Sequence, residues 1–235
     1  MIHYIENLLK ERTLIEKKFA ELFDKNIPLV PIPFFGNISS AKIITIGANP
    51  SSTELKRNFW SEKISSNKIL DRLLNYFDYS PHEWFDTYEQ GLMKIGYSYH
   101  DGTAAHIDLC PWATYSLRNI ENKKMTNKVI ELFKQSKYSF QELMINHISA
   151  NFTLMAGSVT KKYYIDKFVT DFVNKDKIEL INKNQIKTDS PFVSNYIFKI
   201  NGKCLKTLFI SASPSYKKCK NSLIELIEEN KEFLT

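Results

Sequence analysis

The stretch IITIGANPSST, residues 43–53, decides how this chain is read. Ile43, Ile44, Thr45 and Ile46 are four β-branched residues in a row, the composition of a strand buried on both faces. Gly47 stops the run, Ala48 is small, and Pro50 holds Asn49 out of the helical region by clashing with its backbone. Ser51 and the polar residues after it suit a helix start. Strand, tight turn and helix start together describe a β-to-α corner, and in an α/β protein ligands bind at the carboxyl edge of the sheet where such corners lie. Residues 47–51 are therefore the first candidate site.

The rest of the chain supplies a matching frame. Its 235 residues are 43% hydrophobic, enough for one sizeable core, and no low-complexity linker divides them. A single domain over 1–235 is expected, with a helix and proline-rich lead-in at 1–32, a core at 33–216 and a closing helix at 217–235. Ile5, Leu8, Leu9, Ile15, Phe19, Leu22 and Phe23 follow helical spacing up to the prolines at 28, 31 and 33. Strands are expected at 42–47, at AAHIDLC (104–110) and at FTLMAG (152–157). Helices are expected at 66–78, 81–95, 124–135 and 139–149, from Gly157-Ser158 to about Asn174, and at 216–233. Asn201-Gly202 between two β-rich runs is a hairpin signal. The alternation predicts an α/β fold: a mostly parallel sheet with helices on both faces and one antiparallel hairpin arm.

Charge and cysteine usage limit the function classes. Lys plus Arg number 32 against 26 Asp plus Glu, a net charge of +6 that suits an anionic partner without requiring one. Cys110, Cys204 and Cys219 are odd in number and widely spaced, which argues against a disulfide framework or a zinc site. The N-terminal segment carries charges throughout, unlike a signal peptide or a membrane span. A cytoplasmic, reduced protein without a metal is expected.

Three strand ends stand out: Gly47-Ala48-Asn49-Pro50-Ser51, then His106-Ile107-Asp108-Leu109-Cys110-Pro111-Trp112, then Ser211-Ala212-Ser213-Pro214-Ser215-Tyr216. In order and spacing they resemble the uracil-DNA glycosylase superfamily, in the branches whose first motif reads Gly-x-Asn-Pro and whose middle motif ends Asn-x-Cys-Pro. The resemblance covers residues 33–216. It implies a three-layer α/β/α sandwich around a central, mainly parallel four-stranded sheet. The implied protein is a monomer acting on DNA without metal, cofactor or membrane.

By this resemblance Asn49 orients the attacking water, Pro50 fixes the turn, and Gly47, Ala48 and Ser51 let backbone groups approach the nucleotide. Asn49 also suits a plain turn. Phe34-Phe35 and Phe59-Trp60 lie in segments that stack on the extruded base in the family, with Phe59 or Trp60 preferred. His106, and with it His100, is a candidate for the pocket or an ordinary structural histidine. Two departures are informative. Asp108 stands where uracil-specific relatives have a base-reading Asn; an ionised Asp only accepts hydrogen bonds, matching the exocyclic amine of cytosine, unless it caps the loop or meets a basic side chain. Ser211 stands where the family has a His that donates to the leaving base.

Ser213 and Ser215 are expected to grip phosphate, with Tyr216 filling the gap in the base stack and Lys217, Lys218 and Lys220 meeting phosphates. A capped helix start with a solvated lysine face is the alternative. Ser158 is a further phosphate candidate, or a plain cap. Together these residues lead to a monofunctional DNA glycosylase acting on a modified cytosine, such as glucosylated hydroxymethylcytosine in phage DNA. Repair of uracil or other damaged bases, and a non-catalytic reader of DNA or modified nucleotides, are the rival expectations.

Overall fold

The computed structural model describes residues 1–24, 29–51, 54, 65–79, 81–114, 123–157, 178–214 and 217–235. The run of β-branched residues forms strand β2 (Ile43–Gly47), buried at every position, and the sheet is built outward from it. β3 (Ala104–Asp108) pairs parallel on one side of β2, and β4 (Phe152–Ala156) pairs parallel on the other. The strand order thus reverses at β2, the kind of topological switch point at whose carboxyl edge ligands bind in α/β sheets.

Among the described residues the sheet has seven strands rather than the expected four, and it is mixed rather than mainly parallel. β1 (Phe34–Phe35), β5 (Ile178–Lys187), β6 (Val193–Ile200) and β7 (Lys203–Ile210) complete it, in the order β1-β3-β2-β4-β7-β6-β5. β7 continues the parallel array beside β4, whereas β1, β6 and β5 pair antiparallel. Asn201 and Gly202, at φ 47° and 84°, form the tight turn between β6 and β7 that their sequence implies. β5 escapes sequence reading because IELINKNQIK has no clean alternation of apolar and polar residues. Backbone pairing to β6 holds it, interrupted by two register shifts. Its exposed lysines and irregular register suit a sheet edge.

Six α-helices occur among the described residues: α1 (Ile2–Lys18), α2 (Ser66–Leu74), α3 (Trp84–Lys94), α4 (Lys123–Asn146), α5 (Lys220–Glu229) and α6 (Lys231–Leu234). Ser65 caps α2 by accepting from Lys68 N. The two helices expected at 124–135 and 139–149 are one. Nothing between them breaks a helix, and Ser136 satisfies its hydroxyl by donating back to Leu132 O at 3.0 Å. The closing helix is instead divided at Asn230, between α5 and α6.

α1 packs against α2 and α4, and α3 against α5. Gly91 allows the second contact, since a Cβ there would stand 2.5 Å from Ile227 Cδ1. The buried apolar residues form one cluster that runs from Tyr4 to Leu234. Among the described residues no helix is long and apolar enough to cross a membrane. The helix expected after Gly157 lies outside the described residues.

Candidate functional site

The first two motifs are joined by backbone hydrogen bonds. Gly47 pairs with Asp108 in the parallel ladder, and the pairing continues past the strands: Leu109 N donates to Gly47 O at 3.1 Å and Cys110 N to Ala48 O at 3.0 Å. Ser51 bridges to Thr114, and Ile32 N reaches Pro111 O at 2.8 Å. The prolines, buried at 50 and 111, end the strands without ending the contact between their loops.

Asn49 stands half-buried in this seam. Its Nδ2 donates to Pro50 O and Thr114 Oγ1, both at 3.0 Å, and lies 3.4 Å from Trp112 O. Two of those partners are carbonyls, so the amide orientation is determined: the nitrogen is the end that meets them. Among the described residues Oδ1 receives no hydrogen bond. The side chain is held by its donor end and presents its acceptor end.

Asp108 and His106 lie over Gly47. A Cβ at Gly47 would stand 2.7 Å from His106 Nε2 and still closer to Asp108 Oδ1, so glycine is required by the side chains of β3. His106 Nε2 is 3.4 Å from Asp108 Oδ1, with both side chains at most 3% exposed. On its other side His106 Nδ1 is 2.8 Å from Thr45 Oγ1. Phe35 stacks on the imidazole, and Trp84 and Phe85 of α3 meet it edge-on at 5.1 Å. Phe34 and Phe35 are buried core residues, with Phe35 packed on Tyr76 and His106 instead of open to a base. His100 is exposed and precedes β3, at the opposite edge of the sheet from Asp108.

Ser211 is engaged with the sheet. Its Oγ accepts from Phe192 N at 2.7 Å while its own N donates to Phe192 O at 2.9 Å, extending the β6–β7 ladder by one pair. The hydroxyl keeps one proton to donate. Ser213 and Pro214 are buried, and Pro214 O accepts from Thr87 Oγ1 of α3 at 3.2 Å. A buried Ser213 does not present itself to a DNA phosphate as the sequence reading expects. Lys217 and Lys218 lie in a 3₁₀ turn, where Lys218 is exposed. Phe59, Trp60, Ser158, Ser215 and Tyr216 lie outside the described residues.

Sequence reading misses four residues here. Tyr88 of α3 accepts from Ala156 N at 3.0 Å, at the carboxyl end of β4. Burial raises its pKa, and the Asp108 charge acts in the same direction. Thr45 and Tyr99 share a hydrogen bond at 2.5 Å. Glu54 is 2% exposed and accepts from Tyr76 Oη at 2.8 Å. Ser51-x-x-Glu54 is a capping-box pattern, the one signal that marks Glu54 in advance. Tyr88 lies within the helix expected at 81–95 with no motif to single it out, and Thr45 reads as part of a β-branched strand run.

Cys110 is buried, receives a contact from Ser136 Oγ at 3.3 Å, and has its thiol pushed up to about 12 by burial, which makes it inert at neutral pH. Among the described residues no group of three or more His, Cys, Asp and Glu side chains converges as a metal requires. The strand ends offer a fixed acceptor in Asn49 after β2, a buried carboxylate in Asp108 at the end of the adjacent β3, and a hydroxyl donor in Ser211 after β7. No family model matches the chain, and no curated protein matches it in sequence.

Proposed function

We propose that this chain is a monofunctional DNA glycosylase of the uracil-DNA glycosylase type, a three-layer α/β/α protein that flips out a modified base and hydrolyses its N-glycosidic bond. The observation that carries the reading is Asn49: its donor end is tied to Pro50 and Thr114, and its acceptor end is presented from the loop joined to Asp108. In the reaction Asn49 Oδ1 accepts from a water lying beneath the sugar. As the C1′–N bond breaks, its electron pair goes to the base, the water oxygen bonds C1′ and the surplus proton passes to solvent. A carboxamide suffices because bond breaking runs ahead of attack and orientation is what remains to be supplied.

Asp108 favours a base with an exocyclic amine over uracil, because a carboxylate has no proton for a keto oxygen. A modified cytosine in phage DNA, such as glucosylated hydroxymethylcytosine, is the proposed substrate, with the enzyme a cytoplasmic monomer using no metal or cofactor. One observation favours a second reading, a non-catalytic reader of modified DNA: position 211 holds a hydroxyl bonded to backbone where the family places an imidazole.

The test is incubation with single-stranded and duplex oligonucleotides carrying uracil, hydroxymethylcytosine or its glucosylated form, followed by mild alkali. Strand cleavage at a modified cytosine is expected, reduced about 100-fold or more in Asn49→Ala while DNA binding persists. Binding without cleavage on any substrate establishes the reader instead.

A further inference from the structure

Three buried side chains form a hydrogen-bonded line that runs from the turn before β3 across β2 to β3, and the carboxylate of Asp108 lies at its end. Tyr99 Oη meets Thr45 Oγ1 at 2.5 Å, Thr45 Oγ1 meets His106 Nδ1 at 2.8 Å, and His106 Nε2 meets Asp108 Oδ1 at 3.4 Å. The protons along the line follow from its partners. Among the described residues Thr45 is the one hydrogen-bond partner of the Tyr99 hydroxyl, so Tyr99 donates to Thr45. Thr45 in turn has two acceptors in reach, His106 Nδ1 at 2.8 Å and Ala105 O at 3.4 Å, and the nearer takes its proton. The imidazole is then neutral, with its proton on Nε2 facing the carboxylate.

We propose that Tyr99 and Thr45 are positioning residues that lock His106 in its Nε2–H form, so that Asp108 is held as a hydrogen-bond acceptor and the site selects the amino edge of a base. The identity of the ligand rests on the glycosylase reading; the proton arrangement does not. The surroundings agree with a neutral imidazole. Phe35, Trp84 and Phe85 surround the imidazole, and among the described residues Tyr88 of α3 and Cys110 after β3, two titratable groups that act on Asp108, are kept uncharged by burial.

The line orients and does not deliver a proton. Passing one through to Asp108 would leave a tyrosinate at position 99, and burial there pushes the phenol well above its usual range. A departing base must therefore bring its own proton. A cytosine ring protonated at N3 does so: it leaves as neutral cytosine when the bonding pair moves onto the ring. It also offers N3–H and the exocyclic amine as adjacent donors to a carboxylate. An imidazole at position 211 is dispensable for such a substrate.

The experiment is nitrogen NMR of histidine-labelled protein, with excision ratios measured in parallel. Wild type is expected to show His106 as the Nε2–H tautomer with a hydrogen-bonded Nδ1. Thr45→Val removes the lock while keeping the side-chain shape, and Thr45→Ser restores it. Thr45→Val is expected to convert His106 to a mixture of forms and to lower the hydroxymethylcytosine-to-uracil excision ratio about tenfold, the scale of one base-edge contact. Tyr99→Phe is the second variant, expected to move the tautomer in the same direction. An imidazolium or an Nδ1–H form in wild type overturns the proposal, and so does a tautomer unchanged in both variants. The expected tautomer with no excision of any base leaves the lock standing and refutes the glycosylase reading alone.

Discussion

Gly47→Ala is the most direct perturbation of the site, because its effect is steric and computable. Gly47 has no positive φ, so alanine meets no backbone strain there and gains about 0.4–1 kcal/mol from a stiffer unfolded chain. Against this stands a Cβ lying 2.7 Å from His106 Nε2 and 2.9 Å from its Cε1, and also crowding Asp108 Oδ1. Neither obstacle is the loose end of a flexible side chain. His106 is surrounded by three aromatic rings and hydrogen-bonded to Thr45, and Asp108 follows it on the same strand. Overpacking of this kind costs about 1–3 kcal/mol, so a net loss of about 1–2 kcal/mol is expected. In a chain of 235 residues that lowers Tm by about 2–8 °C.

Thermal unfolding of Gly47→Ala, Asp108→Ala and the double variant separates steric conflict from general damage. Removing the carboxylate relieves one of the two obstacles, so the double variant is expected to be more stable than the sum of the singles by about 1 kcal/mol. Strict additivity, or a Gly47→Ala protein as stable as wild type, refutes the view that the β3 side chains dictate glycine at 47.

Asp108→Asn is expected to shift excision from a cytosine derivative toward uracil by about 1–3 kcal/mol in the ratio of kcat/KM values, since the amide supplies the donor a keto oxygen needs; equal loss on both substrates rejects Asp108 as the selector. Ser211→Ala leaves Phe192 N without its side-chain acceptor and is expected to lower stability by about 1–2 kcal/mol, measured in urea. If the hydroxyl is mainly a sheet contact, excision falls less than about tenfold in the same variant. Tyr4, Tyr88, Tyr99 and Cys110 all have pKa values raised by burial, so folding keeps them protonated where the unfolded chain would ionise. Their stabilising effect is complete below the ordinary values of 9.0 for the thiol and 10.0 for the phenols. It is lost above them at about 1.4 kcal/mol per pH unit for each group, which Tm measured from pH 8 to 11 checks.

Local pattern determines a good part of this protein. Four β-branched residues before Gly47 make a buried strand wherever they sit, and Asn201-Gly202 makes its turn from backbone preference alone. Capping by Ser65 and the resemblance of the three strand ends are equally local, since each depends on residues a few positions apart. What sequence spacing does not carry is decided by pairing at a distance. β5 is a strand because β6 offers it a ladder, and Phe192 is tied to Ser211, nineteen residues on, by extension of the β6–β7 ladder. The site divides the same way. Asn49 is legible in its motif, but which end of its amide is presented depends on Thr114 and Trp112, more than sixty residues away. Asp108 is legible as an acid. That it lies beside a histidine bonded to Thr45 is a property of two adjacent parallel strands, whose register places Thr45 opposite His106, and the turn before β3 adds Tyr99 to the same hydroxyl.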